Sequence, residues 1–202
     1  MEYCPHPEAG LLSASSAGAK ADIPETSQLC SRLREARDGW AVTEQKAMKS
    51  EKLYLDDLQV GQRFTSGSHL VDETQIKTFA GQFDPQPFHL DDAAAKHTLF
   101  GGLAASGWHT AAITMRLLVD TGLPLAGGII GAGGDIAWPS ACRPGDVLTV
   151  TSEVVEITPS RSRPDRGMVR VRSETRNQRN EIVQVLNARL VVPRKVERAQ
   201  QS

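Results

Sequence analysis

Apolar and polar residues alternate most regularly in the second half of the chain. Val147 to Ile157, Met168 to Asn177 and Ile182 to Val192 each repeat with period two, which predicts long antiparallel strands with one face inward. In the first of these, Val147, Thr149, Thr151, Glu153 and Val155 share a face. Upstream, the turn Val60-Gly61-Gln62 leads into another strand, Arg63 to Val71, and the glycine-rich run Gly127 to Trp138 reads as a strand passing close to a central helix or an acyl chain. That helix is announced by Ser106 as N-cap. From Trp108 the residues Ala111, Ala112, Met115, Leu118 and Val119 recur at helical spacing until Gly122, predicting a long buried helix. Asp72 is placed to cap a shorter helix, with Gln75 at capping-box spacing and Ile76, Phe79 and Ala80 on one face; Asp91 or Asp92 is placed to cap a turn through Ala93 to Ala95. One strand, short helices, a long helix and four more strands make an α+β layer, an antiparallel sheet wrapped around a helix. A jelly-roll or cupin barrel is the alternative, weakened by the central helix.

Residues 1 to 50 break this pattern, with Pro5, Pro7, an Ala/Ser/Gly-rich run from Ala14 to Ala21 and few large apolar residues. They read as a disordered extension to a domain at 51–195, followed by a short tail at 196–202. A short helix over residues 28 to 37 is conceivable, and Met48 is a possible working start. Glu2 and Glu8 come early, and Leu11-Leu12 is the sole apolar pair near the start, so a signal peptide is not expected. The run of arginines there includes acids, which argues against an organelle presequence. No stretch has the ~20 apolar residues of a membrane span.

Composition narrows the picture further. A formal charge of −1 over 202 residues, with no interleaving of basic and aromatic residues, gives no footprint for nucleic acid. Cys4, Cys30 and Cys142 are odd in number and lack C-x-x-C spacing, so neither a disulfide framework nor a zinc site is expected. A reducing, cytoplasmic setting fits. The glycines of Gly127 to Trp138 are no dinucleotide fingerprint, because the third glycine is missing and Pro139 forbids the helix that would receive a pyrophosphate.

Chemistry concentrates in Phe83 to Asp91, Phe-Asp-Pro-Gln-Pro-Phe-His-Leu-Asp. Pro85 and Pro87 hold Asp84 and Gln86 extended, which predicts a non-helical loop. Such a loop can fold Asp84 and His89 toward one point, joining a carboxylate to an imidazole for proton transfer. The plainer reading makes Asp84 a turn cap and His89 a satisfied polar residue. Gly107, in the first turn of the predicted helix, offers an N-H at the positive end of the macrodipole, suited to developing negative charge. Trp108 reads as core or pocket wall, and His109 as a core or interface histidine.

The pattern Asp-x-x-Pro-x-His-x-Asp, followed by Thr-Leu-Phe-Gly-Gly-Leu-Ala-Ala-Ser-Gly-Trp, resembles the MaoC-like dehydratases and (R)-specific enoyl-CoA hydratases over roughly Tyr54 to Pro193. The resemblance implies the hotdog fold. It also implies that Asp84 and His89 hold and activate a water, and that the Gly107 N-H binds a thioester oxygen, with Ser106 and Trp108 beside it. The chain departs from the family at Gln86, where Asn is usual, and at Ser106, where His is usual. The implied reaction is reversible syn hydration of a trans-2-enoyl thioester to the (R)-3-hydroxyacyl thioester, with no metal or redox cofactor and coenzyme A present only as part of the substrate. A homodimer is implied too, and an acyl carrier protein is the alternative thioester handle. Arg161 and Arg163, on the stretch Thr158 to Gly167, are candidates for phosphate contacts, against a simple solvated hairpin. Two further readings stay open: a hotdog thioesterase, for which the helix offers no carboxylate before Asp120, and a catalytically silent acyl-binding domain.

Overall fold

Five antiparallel strands form a single sheet: β1 (Arg63–Leu70), β2 (Ile130–Ala137), β3 (Val147–Pro159), β4 (Arg166–Arg176) and β5 (Ile182–Pro193), in the order β1-β3-β4-β5-β2. The computed structural model describes residues 51–195. The expected extension at 1–50, with its helix over 28 to 37 and Met48, and the tail at 196–202 lie outside the described residues. Alternation dictates the sheet. Leu148, Val150, Ser152 and Val154 of β3 point inward, so the row containing Thr149, Thr151 and Glu153 is the outer one. Gly145, at φ +85°, makes the turn before β3, where the buried Asp146 carboxylate accepts from the Arg143 amide at 2.8 Å and pairs with Arg179 at 3.0 Å.

Four helices follow β1 and precede β2: α1 (Glu73–Phe83), α2 (Pro87–Leu90), α3 (Asp92–Lys96) and α4 (Gly107–Leu117), the last continuing as a π turn through Leu118–Gly122. Their starts follow the predicted caps. Asp72 accepts from the Gln75 amide at 2.8 Å, Asp91 from the Ala94 amide at 2.7 Å, and Ser106 Oγ from the Trp108 amide at 3.2 Å. At the far end of α4 the Gly67 amide, in the bulge of β1, donates to Thr121 Oγ1 at 2.8 Å. The core lies between α4 and the sheet, where Ile113, Leu117 and Leu118 meet Leu148, Val150, Val171 and their neighbours. Each such side chain contributes about 1.5–3 kcal/mol by leaving water.

Three expectations are corrected. The Phe83 to Asp91 stretch is not free of helix, because Pro87 occupies the first position of α2. Proline is tolerated there, since an N-H at that position has no intrahelical acceptor to lose. The central helix buries a different face from the one predicted: His109, Thr110, Ile113, Thr114 and Leu117 are buried, while Trp108, Met115 and Val119 are 62%, 42% and 56% exposed. Polar Thr110 and Thr114 are satisfied inside, by the Ser106 carbonyl and by Thr175 Oγ1, which hides the true inner face from a hydrophobicity pattern. Finally, the glycines of β2 do not mark an approach to the helix, which is met instead by Trp138 just beyond the strand. β2 is an exposed edge strand whose bulge brings Gly134 against the β5 backbone, so close that an added Cβ would sit 2.3 Å from the Asn187 carbonyl oxygen.

Candidate active site

Asp84 closes α1 and Gln86 opens α2, so one short break in helix presents both side chains beside the start of α4. The carboxylate is held from both sides. Gln86 Nε2 donates to Oδ1 at 2.7 Å, and Ser106 Oγ donates to Oδ2 at 2.6 Å. The Ser106 bond, above all, pulls the Asp84 pKa below its ordinary value of 3.8; partial burial opposes it, and Gln86 and the nearby His89 add to it. Asp84 is therefore an ionised carboxylate at neutral pH.

His89 is only 4% exposed, and its ring is fixed by the turn of α2 beneath it. Nδ1 lies 2.7 Å from the Ala104 carbonyl oxygen. A carbonyl can only accept, so Nδ1 carries the proton and Nε2 is left facing the cleft. Nε2 sits 3.4 Å from Asp84 Oδ2, near enough for the two groups to share a small molecule. Phe88 packs edge-on to the ring at 4.5 Å, and Phe100 lies 5.9 Å away on a loop that Arg143 ties down by donating to the Phe100, Gly102 and Leu103 carbonyls.

The pair opens on a cleft of about 640 Å³ that also reaches Ser106, Gly107, Trp108 and Cys142. Gly107 is the first residue of α4, so its N-H has no intrahelical acceptor and points from the positive end of the helix. The Cys142 thiol is pushed up to about 12 by burial and is no nucleophile. A second depression of about 610 Å³, on the outer sheet face between Asp135, Arg170, Arg172 and Arg189, lacks any comparable acid–base pair.

Asp84, His89, Ser106, Gly107 and Trp108 are thus brought together. Arg161 and Arg163 are not. They sit beyond the far end of β3 from Cys142, and a strand of this length spans about 40 Å, so neither reaches the cleft of its own chain. Trp138 was missed by sequence reasoning. It leaves the edge strand β2 and lays its ring over Gly107, where an added Cβ would meet it at 2.8 Å. No local spacing signals this contact between residues 107 and 138.

Residues 57–177 match the model of the MaoC like domain. The chain belongs to the MaoC-like domain family. The MaoC-like dehydratase of Rhodospirillum rubrum, solved by crystallography, is 63% identical; the similarity covers 71% of this chain and 99% of that one, with a TM-score of 0.71. The unliganded (R)-hydratase PhaJ1 of Pseudomonas aeruginosa is 28% identical over 75% of this chain and 94% of that one, with a TM-score of 0.57. Among curated relatives, the uncharacterized protein YdeM of Bacillus subtilis is 34% identical over 62% of this chain and 88% of its own length. A 3-hydroxybutyryl-CoA dehydratase of Methylorubrum extorquens is 32% identical over 55% of this chain and 69% of its own. The hotdog fold and the hydratase and dehydratase character of the family follow from these likenesses. Among the described residues, no helix is long and apolar enough to cross a membrane.

Proposed function

We propose that this MaoC-like chain is an enoyl-thioester hydratase, adding water reversibly and syn across a trans-2-enoyl thioester to give the (R)-3-hydroxyacyl product. The observation that carries the reading is the Asp84 and His89 pair, 3.4 Å apart at the wall of a cleft that Gly107 also lines. Water held between Asp84 Oδ2 and His89 Nε2 donates a hydrogen bond to the carboxylate, keeps that hydrogen, and gives its other proton to the imidazole as its oxygen attacks Cβ. Charge then develops on the thioester oxygen. The Gly107 N-H stabilises it. His89 returns its proton to Cα on the same face, so hydroxide and proton add together and the imidazole is regenerated. His89, not Asp84, is the base in this scheme. A carboxylate already receiving hydrogen bonds from Ser106 and Gln86 is a weak base, whereas Nε2 with Nδ1 anchored to Ala104 is open to accept.

The thioester is that of coenzyme A or an acyl carrier protein, and no further cofactor enters this scheme. A thioesterase is disfavoured. Asp120 lies on the π turn at the other end of the helix and is paired with Arg116 at 2.6 Å, so the cleft receives no second carboxylate from α4.

The working unit in this proposal is a homodimer. The exposed row Trp108, Met115 and Val119 and the open edge of β2 are the surfaces a second copy would cover. Incubating the protein with crotonyl-CoA and following loss of the enoyl absorbance, with chiral analysis of the product, tests the function. Formation of (R)-3-hydroxybutyryl-CoA supports it; no turnover of any enoyl thioester, or an (S) product, overturns it.

A further inference from the structure

Trp138 does more than fill space beside the helix. Its indole N-H donates to Gln184 Oε1 at 2.9 Å, and Gln184 is wholly buried. Its six-membered ring is stacked on the Cα of Gly107, and Trp108 meets it edge-on with centroids 5.4 Å apart. Both indoles line the cleft. A ring held by a buried hydrogen bond and pressed against helix backbone is a rigid wall, since moving it would leave the amide oxygen of Gln184 unpaired.

Behind that wall, part of the layer between α4 and the sheet is polar. Thr114 bonds Thr175 at 2.7 Å, Ser152 bonds Ser173 at 2.8 Å, and Gln184 Nε2 has no partner among the described residues. These groups form a buried polar seam where a longer acyl tail would have to run. Methylenes laid over it would meet hydroxyls and an amide instead of apolar side chains and would leave Gln184 Nε2 shut off from water.

We infer that Trp138, fixed by Gln184, is the specificity-determining wall of the cleft and restricts it to short acyl groups of about four carbons. The inference rests on the thioester reading above and deepens it. Trp138 sets size by contact with the acyl end; Gln184 acts through Trp138 as a positioning residue.

The test compares four-carbon with eight-carbon thioesters in two independent ways. Hydration is followed on crotonyl-CoA and trans-2-octenoyl-CoA, and binding of the unreactive butyryl- and octanoyl-CoA is measured by calorimetry. The wild type should favour the short ligand by 100-fold or more in both. Trp138→Ala should cut that preference at least tenfold, chiefly by gaining on the long ligand. Trp138→Phe and Gln184→Leu, which keep bulk but lose the hydrogen bond, should fall between, with KM for octenoyl-CoA dropping more than kcat changes. Equal handling of both lengths by the wild type, or an unchanged ratio in all three folded variants, overturns the wall while leaving the hydratase reading intact. A length preference in binding without any hydration sinks the hydratase reading and keeps the wall. Failure of every acyl-CoA to bind overturns both.

Discussion

The Ser106 hydroxyl donates to Asp84 Oδ2 at 2.6 Å while its oxygen accepts from the Trp108 amide at 3.2 Å. One side chain therefore caps the central helix and holds the carboxylate of the acid–base pair. Ser106→Ala should have two separable effects. Loss of the cap costs about 1 kcal/mol, which lowers Tm by roughly 2–4 °C for a domain of this size. Loss of the donor removes the main cause of the depressed Asp84 pKa, so the acid limb of kcat/KM that reports this carboxylate should move to higher pH. An acid limb that stays in place would show that the bond does not tune Asp84.

His109 titrates the fold. It is 7% exposed, stacked on Phe79 at 4.8 Å, and its Nδ1 has no partner among the described residues. Burial, with His69 nearby, pulls its pKa from 6.5 down to about 4. The neutral ring is the folded form, so the contribution is intact above pH 6.5. It is lost as pH falls toward 4, when the unfolded chain takes up the proton first. The loss amounts to roughly 3 kcal/mol. Urea unfolding of wild type and His109→Phe at pH 7 and pH 4.5 measures it: the wild type should lose more stability than the variant. Equal losses would remove His109 from the account.

Gly107→Ala should destabilise the protein. In open helix this change is favourable by up to about 1 kcal/mol, but here the new Cβ meets the Trp138 ring at 2.8 Å. Overpacking of this kind costs about 1–3 kcal/mol. In a Trp138→Ala background the same substitution should cost nothing. A thermal-melt double-mutant cycle with additive effects would contradict the contact.

Two of the exposed apolar residues, Met115 of α4 and Val119 of the π turn, predict assembly. Met115→Glu together with Val119→Glu should convert a dimer to a monomer by light scattering, and the same mass for wild type and variant would place the interface elsewhere.

Much of this molecule was legible in its sequence. The caps Asp72, Asp91 and Ser106, the strands from Arg63 and Val147 onward, and the meeting of Asp84 with His89 all depend on residues close in the chain or on strict period-two patterning. What escaped has physical reasons. Pro87 signals a break wherever it stands, yet at the first helical position it starts a turn. Thr110 and Thr114 are buried because Thr175 and a backbone carbonyl satisfy them, so the polar row faces inward while Met115 and Val119 face out. The packing of Trp138 on Gly107 and its bond to Gln184 join three separate elements, and the sequence pattern of none of them carries that information.

The central claim is that Asp84 and His89 act on one water as a unit, and kcat for hydration of crotonyl-CoA by the single and double variants tests it most directly. Asp84→Asn and His89→Ala should each lower kcat by about 10²- to 10⁴-fold with KM little changed. The double variant should be scarcely worse than either one, because removing either partner already disables the pair. Near-wild-type hydration by folded Asp84→Asn, or losses that multiply in the double variant, would contradict the account.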